Sequence, residues 1–154
     1  AFADVLGIFA SHGVDLACYW QYPSPDSLVA KALALYRNVD GSGRRFGSTL
    51  LRTERHGKAA LARKELRVYA ARTRDNAEEQ ITVLVINKAA AERPLELAFT
   101  DVATSRLSRA FRLGEDTDGI VAFNVTPVEG TADGSVTMTI PSKSICHLRF
   151  GTTL

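Results

Sequence analysis

Residues 13–20 constrain this chain more than any other stretch. Gly13, Val14, Asp15, Leu16, Ala17, Cys18, Tyr19 and Trp20 form a compact apolar run with one acid. Too short for another helix, the run reads as a buried strand of the parallel-sheet kind, covered on both faces. Before it, Phe2, Val5, Leu6 and Phe9 recur at helical spacing, and Gly13 is a helix stop free to adopt positive φ. After it, Ser24 and Pro25 supply an N-cap and a first helical position. Leu28, Ala32, Leu35 and Tyr36 then line one face of a helix running to about Asn38. Helix, strand, loop, helix is one step of an α/β barrel or a doubly wound sheet. One such step cannot stand alone, because its strand needs neighbours that the rest of the sequence does not supply. The amino-terminal part is therefore expected to come from a larger α/β domain or to dock on something else.

Asp40, Gly41, Ser42 and Gly43 form the clearest linker, and beyond it the period changes from helical to two. Residues 66–72 alternate in part, and residues 80–87 are dense in β-branched side chains. Further strands are predicted at residues 48–55, 94–99, 106–113, 136–140 and 144–150. Turn chemistry lies between several of them at Asp75-Asn76, Gly114-Glu115-Asp116 and Asp133-Gly134. Residues 58–66 fit a helix as well as a loop. The expected fold is mainly β: an antiparallel β-sandwich over residues 44–154, preceded by a helix-strand-helix remnant of a (β/α)8 barrel over residues 1–43.

Composition removes several function classes. The 154 residues carry 19 basic and 17 acidic side chains, a net charge of +2, so no electrostatic footprint for nucleic acid is present. Arg44-Arg45 and Arg63-Lys64 are short basic pairs without interleaved aromatics, best read as solvated surface. Cys18 and Cys146 each sit in an apolar run, as buried thiols do, and a bridge between them cannot be read from sequence. No clustered His/Cys spacing suggests zinc, no apolar run is long enough for a membrane span, and no cofactor is expected. The chain opens on Ala1 and Phe2 without a leader pattern or an initiator Met, as a mature or excised product would.

Candidate chemistry is sparse. No Gly-x-Ser-x-Gly elbow occurs, and His12, His56 and His147 lack ligand spacing, so a structural role fits each better. Gly41-Ser42-Gly43 follows a helix instead of leading from strand to helix, and fails as a phosphate loop. Paired acids run glycoside hydrolysis, but Glu54, Glu65, Glu78, Glu79, Glu92, Glu96, Glu115 and Glu129 all fall in the β-rich part, mostly in turns or on wet faces. Asp15, inside the apolar run, would need a partner if buried. Trp20 stands out as the only tryptophan, at the end of that run. The carboxyl ends of barrel strands face the active site, and an indole there offers a flat face to a sugar ring; a core or interface role is the plainer alternative.

The order of segments adds a resemblance. Ala3-Asp4-Val5-Leu6-Gly7-Ile8-Phe9, then Gly13-Val14-Asp15-Leu16-Ala17 with Trp20, resembles the last part of the catalytic barrel in glycoside hydrolase family 44. The likeness continues through residues 35–41 and 45–49. Residues 66–72 and 81–88 resemble paired strands of the family's carboxyl-terminal β-sandwich, and residues 136–150 a closing hairpin. The resemblance implies a parent that is a secreted, retaining endo-β-1,4-glucanase acting on cellulose-like or xyloglucan-like chains. Its two catalytic glutamates would lie on barrel strands before residue 1, so none is assigned here. Trp20, with Tyr19 and Tyr22, maps to the sugar-facing rim as substrate-binding residues. The implied partners are a β-1,4-glucan and either the missing barrel portion or a second copy of the chain. Two other readings stay open: a β-sandwich that grips polysaccharide through surface aromatics, and a small glycan-active enzyme whose site forms across an oligomer.

Overall fold

The computed structural model describes residues 1–43, 45–54, 65–75, 78–100, 105–125 and 135–152. The second basic pair, Arg63-Lys64, together with Arg44, His56, Asn76, Glu129, Asp133 and Gly134, lies outside them, as does most of the ambiguous stretch 58–66. The described residues form α1 (Phe2–Ser11), α2 (Leu28–Arg37), β1 (Thr49–Leu51), β2 (Leu66–Asp75), β3 (Glu78–Asn87), β4 (Arg93–Leu97), β5 (Ser105–Gly114), β6 (Val121–Ala122), β7 (Val136–Ile140) and β8 (Ser144–Thr152).

Six strands make one antiparallel sheet in the order β1-β2-β3-β8-β5-β6, while β4 and β7 pair in a second, two-stranded sheet. Ile81, Val83 and Val85 of β3, with Cys146, Leu148 and Phe150 of β8, face Val136, Met138 and Ile140 of β7. On the opposite face Tyr69, Leu84, Ile86 and Leu113 lie beneath Ala3 of α1 and Ala32, Leu35 and Val39 of and after α2. The large sheet is thus a middle layer, with helices on one side and β4-β7 on the other. That position explains why residues 81–87 are all buried and why Val83 to Ile86 read as an apolar run without alternation. Asn87 joins the layers: its amide donates to the Ala91, Ile140 and Pro141 carbonyls, and its oxygen accepts from the Ala89 N–H.

The run at residues 13–20 is not a buried strand here. Among the described residues it forms no strand and pairs with none, and it is exposed throughout, with Leu16 at 82% exposure. The cause is the one its pattern implies: the described chain holds no strand beside it. Asp15 and Cys18 are therefore exposed too, where the sequence led us to expect burial. Both cysteines are free, and burial pushes the Cys146 thiol up to about 11.

Four further expectations need correction. Ser27, not Ser24, caps α2: its hydroxyl accepts from the Ala30 N–H and donates to the Ser24 carbonyl, so Pro25 and Asp26 form a turn ahead of the helix. Leu28 consequently sits at the exposed first position, off the buried face. The strand predicted at residues 48–55 shrinks to three residues at the sheet edge. Residues 136–150 do not close as a hairpin, because β7 pairs with β4, whereas β8 enters the large sheet between β3 and β5. Lys143, at φ 41°, turns the chain from one sheet to the other.

Helix α1 ends as its glycine predicts. Gly13 takes φ +66°, its N–H bonds to the Ala10 carbonyl, and the Val14 N–H returns to Phe9, which is the Schellman pattern. One turn earlier, Gly7 lies on the Tyr69 ring, and a Cβ there would fall 2.4 Å from a ring carbon. Alanine would raise helix propensity by about 1 kcal/mol. The ring cannot swing away, however, because it is buried and its hydroxyl is bonded to Asp4. Gly7→Ala should therefore be net destabilising, by roughly 1–3 kcal/mol of overpacking, in a urea titration. A more stable variant would mean that the ring yields.

Candidate functional site

The three aromatics singled out from sequence lie on one exposed segment between the helices. Trp20 is 97% exposed and Tyr22 95%, while Tyr19 is half-covered by the Phe2 ring at 5.2 Å and 75°. The structure thus brings Tyr19 against α1 and leaves Trp20 and Tyr22 facing solvent. Bare indole and phenol faces of this kind suit stacking on a flat, weakly polar surface such as a sugar ring.

Five of the described glutamates have partners away from that segment. Glu54 pairs with Arg52 at 2.8 Å, Glu65 with Arg93 at 2.5 Å, Glu79 with Arg72 at 3.1 Å and Glu115 with Lys143 at 3.0 Å. Glu96 accepts from the Ser135 hydroxyl. Among the described residues no three His, Cys, Asp or Glu side chains gather as metal ligands, and no helix is long and apolar enough to cross a membrane.

Two buried polar clusters do form, both on the helical side of the large sheet. In the first, the Asp4 carboxylate of α1 accepts from the Tyr69 hydroxyl at 2.6 Å and lies 2.5 Å from the Lys88 ammonium, with Arg67 at 3.9 Å. Burial alone would raise this carboxyl, but the Lys88 and Tyr69 hydrogen bonds and the nearby cations outweigh it and leave its pKa lowered. In the second, Asp40 meets Arg149 at 3.0 Å, with side-chain exposures of 7% and 1%. Burial opposes ionisation there as well, yet the Ser42 hydrogen bonds and the Arg149 charge hold Asp40 down to about 2. Phe111 lies 5.8 Å beneath the guanidinium and packs edge-on against His147. His147 is fully buried, its ring nitrogens meet no hydrogen-bond partner among the described residues, and burial with the Arg149 charge pushes it down to about 4.

His147 thus lies in the packed interior, whereas Asp4, Asp40 and Arg149 carry interactions that the sequence did not bring forward. Arg149 did carry a signal: a lone cation inside the apolar run of residues 145–150 demands a partner. Asp4 carried none, since an acid in a first helical turn is ordinary.

No protein-family model matches the sequence. Endoglucanase A of Paenibacillus lautus is 28% identical over 148 residues, 96% of this chain and 20% of the relative. Beta-mannanase/endoglucanase A of Caldicellulosiruptor saccharolyticus is 45% identical over 49 residues, 32% of this chain and 4% of that protein. A bifunctional glucanase-xylanase from a metagenome library superposes at TM-score 0.82 with 25% identity, over 99% of this chain and 27% of its own. A family 44 endoglucanase from Clostridium acetobutylium superposes at 0.82 with 21% identity, over 97% and 28%. A family 44 xyloglucanase from Paenibacillus polymyxa superposes at 0.80 with 23% identity, over 99% and 28%. The chain thus spans less than a third of the length of each of these proteins. Over nearly its whole length it has the fold found in part of the glycoside hydrolase family 44 enzymes, in keeping with the resemblance of its sequence to their carboxyl-terminal part.

Proposed function

We propose that this chain is the carboxyl-terminal part of a secreted, cellulase-like glycoside hydrolase whose β-sandwich scaffolds a catalytic barrel. The observation that carries this reading is the apolar segment at residues 13–20, which pairs with no strand among the described residues and is exposed from end to end. Completed by neighbouring strands, it would be the last strand of that barrel, with the division from the sandwich near residue 43. Trp20, with Tyr19 and Tyr22, would then stand at the strand's carboxyl end and stack on a β-1,4-glucan of the cellulose or xyloglucan type. On this reading the acid/base and nucleophilic glutamates of a retaining mechanism would lie outside residues 1–154. Scaffolding is favoured over an independent polysaccharide grip because every described sandwich aromatic, Tyr69 and Phe150 among them, is buried or half-buried.

The purified chain is expected to release no reducing sugar from carboxymethyl-cellulose or xyloglucan. Trp20→Ala should leave stability within about 0.5 kcal/mol of the parent sequence, since the indole is almost wholly exposed. Sugar release that disappears in Trp20→Ala would show that this chain builds its own active site, and would sink the proposal.

A further inference from the structure

We infer that Asp4, Tyr69 and Lys88 form a positioning clamp through which the β-sandwich sets the placement of the aromatic segment at residues 19–22. The inference rests on the reading of that segment as sugar-facing and adds residues that act on it without touching the glucan. Three elements converge on one helical turn. Tyr69 of β2 and Lys88 just after β3 hold the Asp4 carboxylate, and the Tyr36 hydroxyl of α2 donates to the neighbouring Ala3 carbonyl at 2.8 Å. An apolar face alone would keep α1 on the sheet, but it would let the helix slide or roll. Directional bonds to a single buried carboxylate remove that freedom, and the close seat of Gly7 on the Tyr69 ring blocks rotation one turn further on.

The position of α1 is then passed to the segment. The Val14 N–H bonds to the Phe9 carbonyl at 3.0 Å, and the Phe2 ring, two residues from Asp4, meets Tyr19 edge-on. Both of these contacts run to α1, and among the described residues no sheet pairing fixes the segment independently. The ion pairs Arg52–Glu54 and Lys143–Glu115 are exposed, whereas Asp4 is buried and reaches a partner 84 residues away. Lys88 and Tyr69 are thus positioning residues, and Asp4 is the group on which they act.

Trp20, as the only tryptophan, reports on the segment directly. In the full 154-residue chain, Lys88→Met should lower the fluorescence anisotropy of Trp20 and weaken its response to cellohexaose several-fold. Lys88→Arg, which keeps a cation, should restore both. Ile140→Val, in the core on the other side of the sheet, should lower the melting temperature and leave both readouts alone. If Lys88→Met lowers the melting temperature while Trp20 anisotropy stays at the parent value, the clamp is structural only and the inference fails. If the parent chain's Trp20 emission ignores cellohexaose, the sugar-facing reading fails instead, while the anisotropy comparison still decides the clamp.

Discussion

Asp40→Ala is expected to destabilise the fold by about 3–5 kcal/mol, because it removes one charge of the buried pair that Asp40 forms with the Arg149 guanidinium. For a chain of this length, at about 2–4 °C per kcal/mol, the melting temperature should fall by on the order of 10 °C. The size follows from burial, since an exposed pair of the same geometry would contribute only about 0–1 kcal/mol. Asp40 also fastens the loop after α2 by accepting from the Ser42 N–H and hydroxyl, so its loss frees the linker as well as the strand. Arg149→Met added to Asp40→Ala should recover much of the loss, since removing both charges of a buried pair costs less than removing one of them. A single variant that melts within a degree or two of the parent would show that the pair does not hold the linker to the sheet.

The second large effect is a loss of stability on mild acidification. His147 has a folded-state pKa of about 4 against an ordinary 6.5, because burial and the neighbouring Arg149 disfavour its charged form. In that window the unfolded chain binds more protons than the folded one. The contribution of the neutral ring is therefore fully present above 6.5 and is lost progressively as pH falls to about 4, in total roughly 3 kcal/mol. Asp40 acts lower on the scale: its depressed pKa stabilises the fold above 3.8, and that contribution drains away as pH falls toward 2. Urea titrations between pH 7 and 4 should show the slope, and His147→Leu should flatten it. A His147→Leu profile as steep as the parent's would assign the acid sensitivity elsewhere.

Strands were legible where burial on one or both faces left a period in the sequence. Residues 80–87 stood out because helices cover one face of β3 and β4-β7 the other, so nearly every position had to be apolar. The apolar run at 13–20 was equally clear as a pattern, and its want of neighbours could be inferred before any coordinates. What could not be read was partnership. Pro141, Ser142 and Lys143 form as good a turn between two sheets as within one, so the local chemistry could not separate β7 from β8. The clue lay in β8 itself, where residues 146–150 are all buried while β7 alternates. The two carboxylates that organise the helical face were hidden for a similar reason. Asp40 sits in a Gly/Ser linker that explains it locally, and its partner lies 109 residues away.

The place of β8 has a consequence for biosynthesis. Its pairings with β3 and β5 lie at the middle of the sheet, yet it is the last of the described strands in chain order. A nascent chain that has not reached residue 144 can close the β2-β3 hairpin, whose register is local, but β5 and β6 have nothing to join to it. Until then one long edge of β3 stays open, with Ile81, Val83 and Val85 uncovered beside it. Closure of this sheet therefore waits until residues 144–152 have left the ribosome, and before then the open edge of β3 is a site for aggregation and for holdase chaperones.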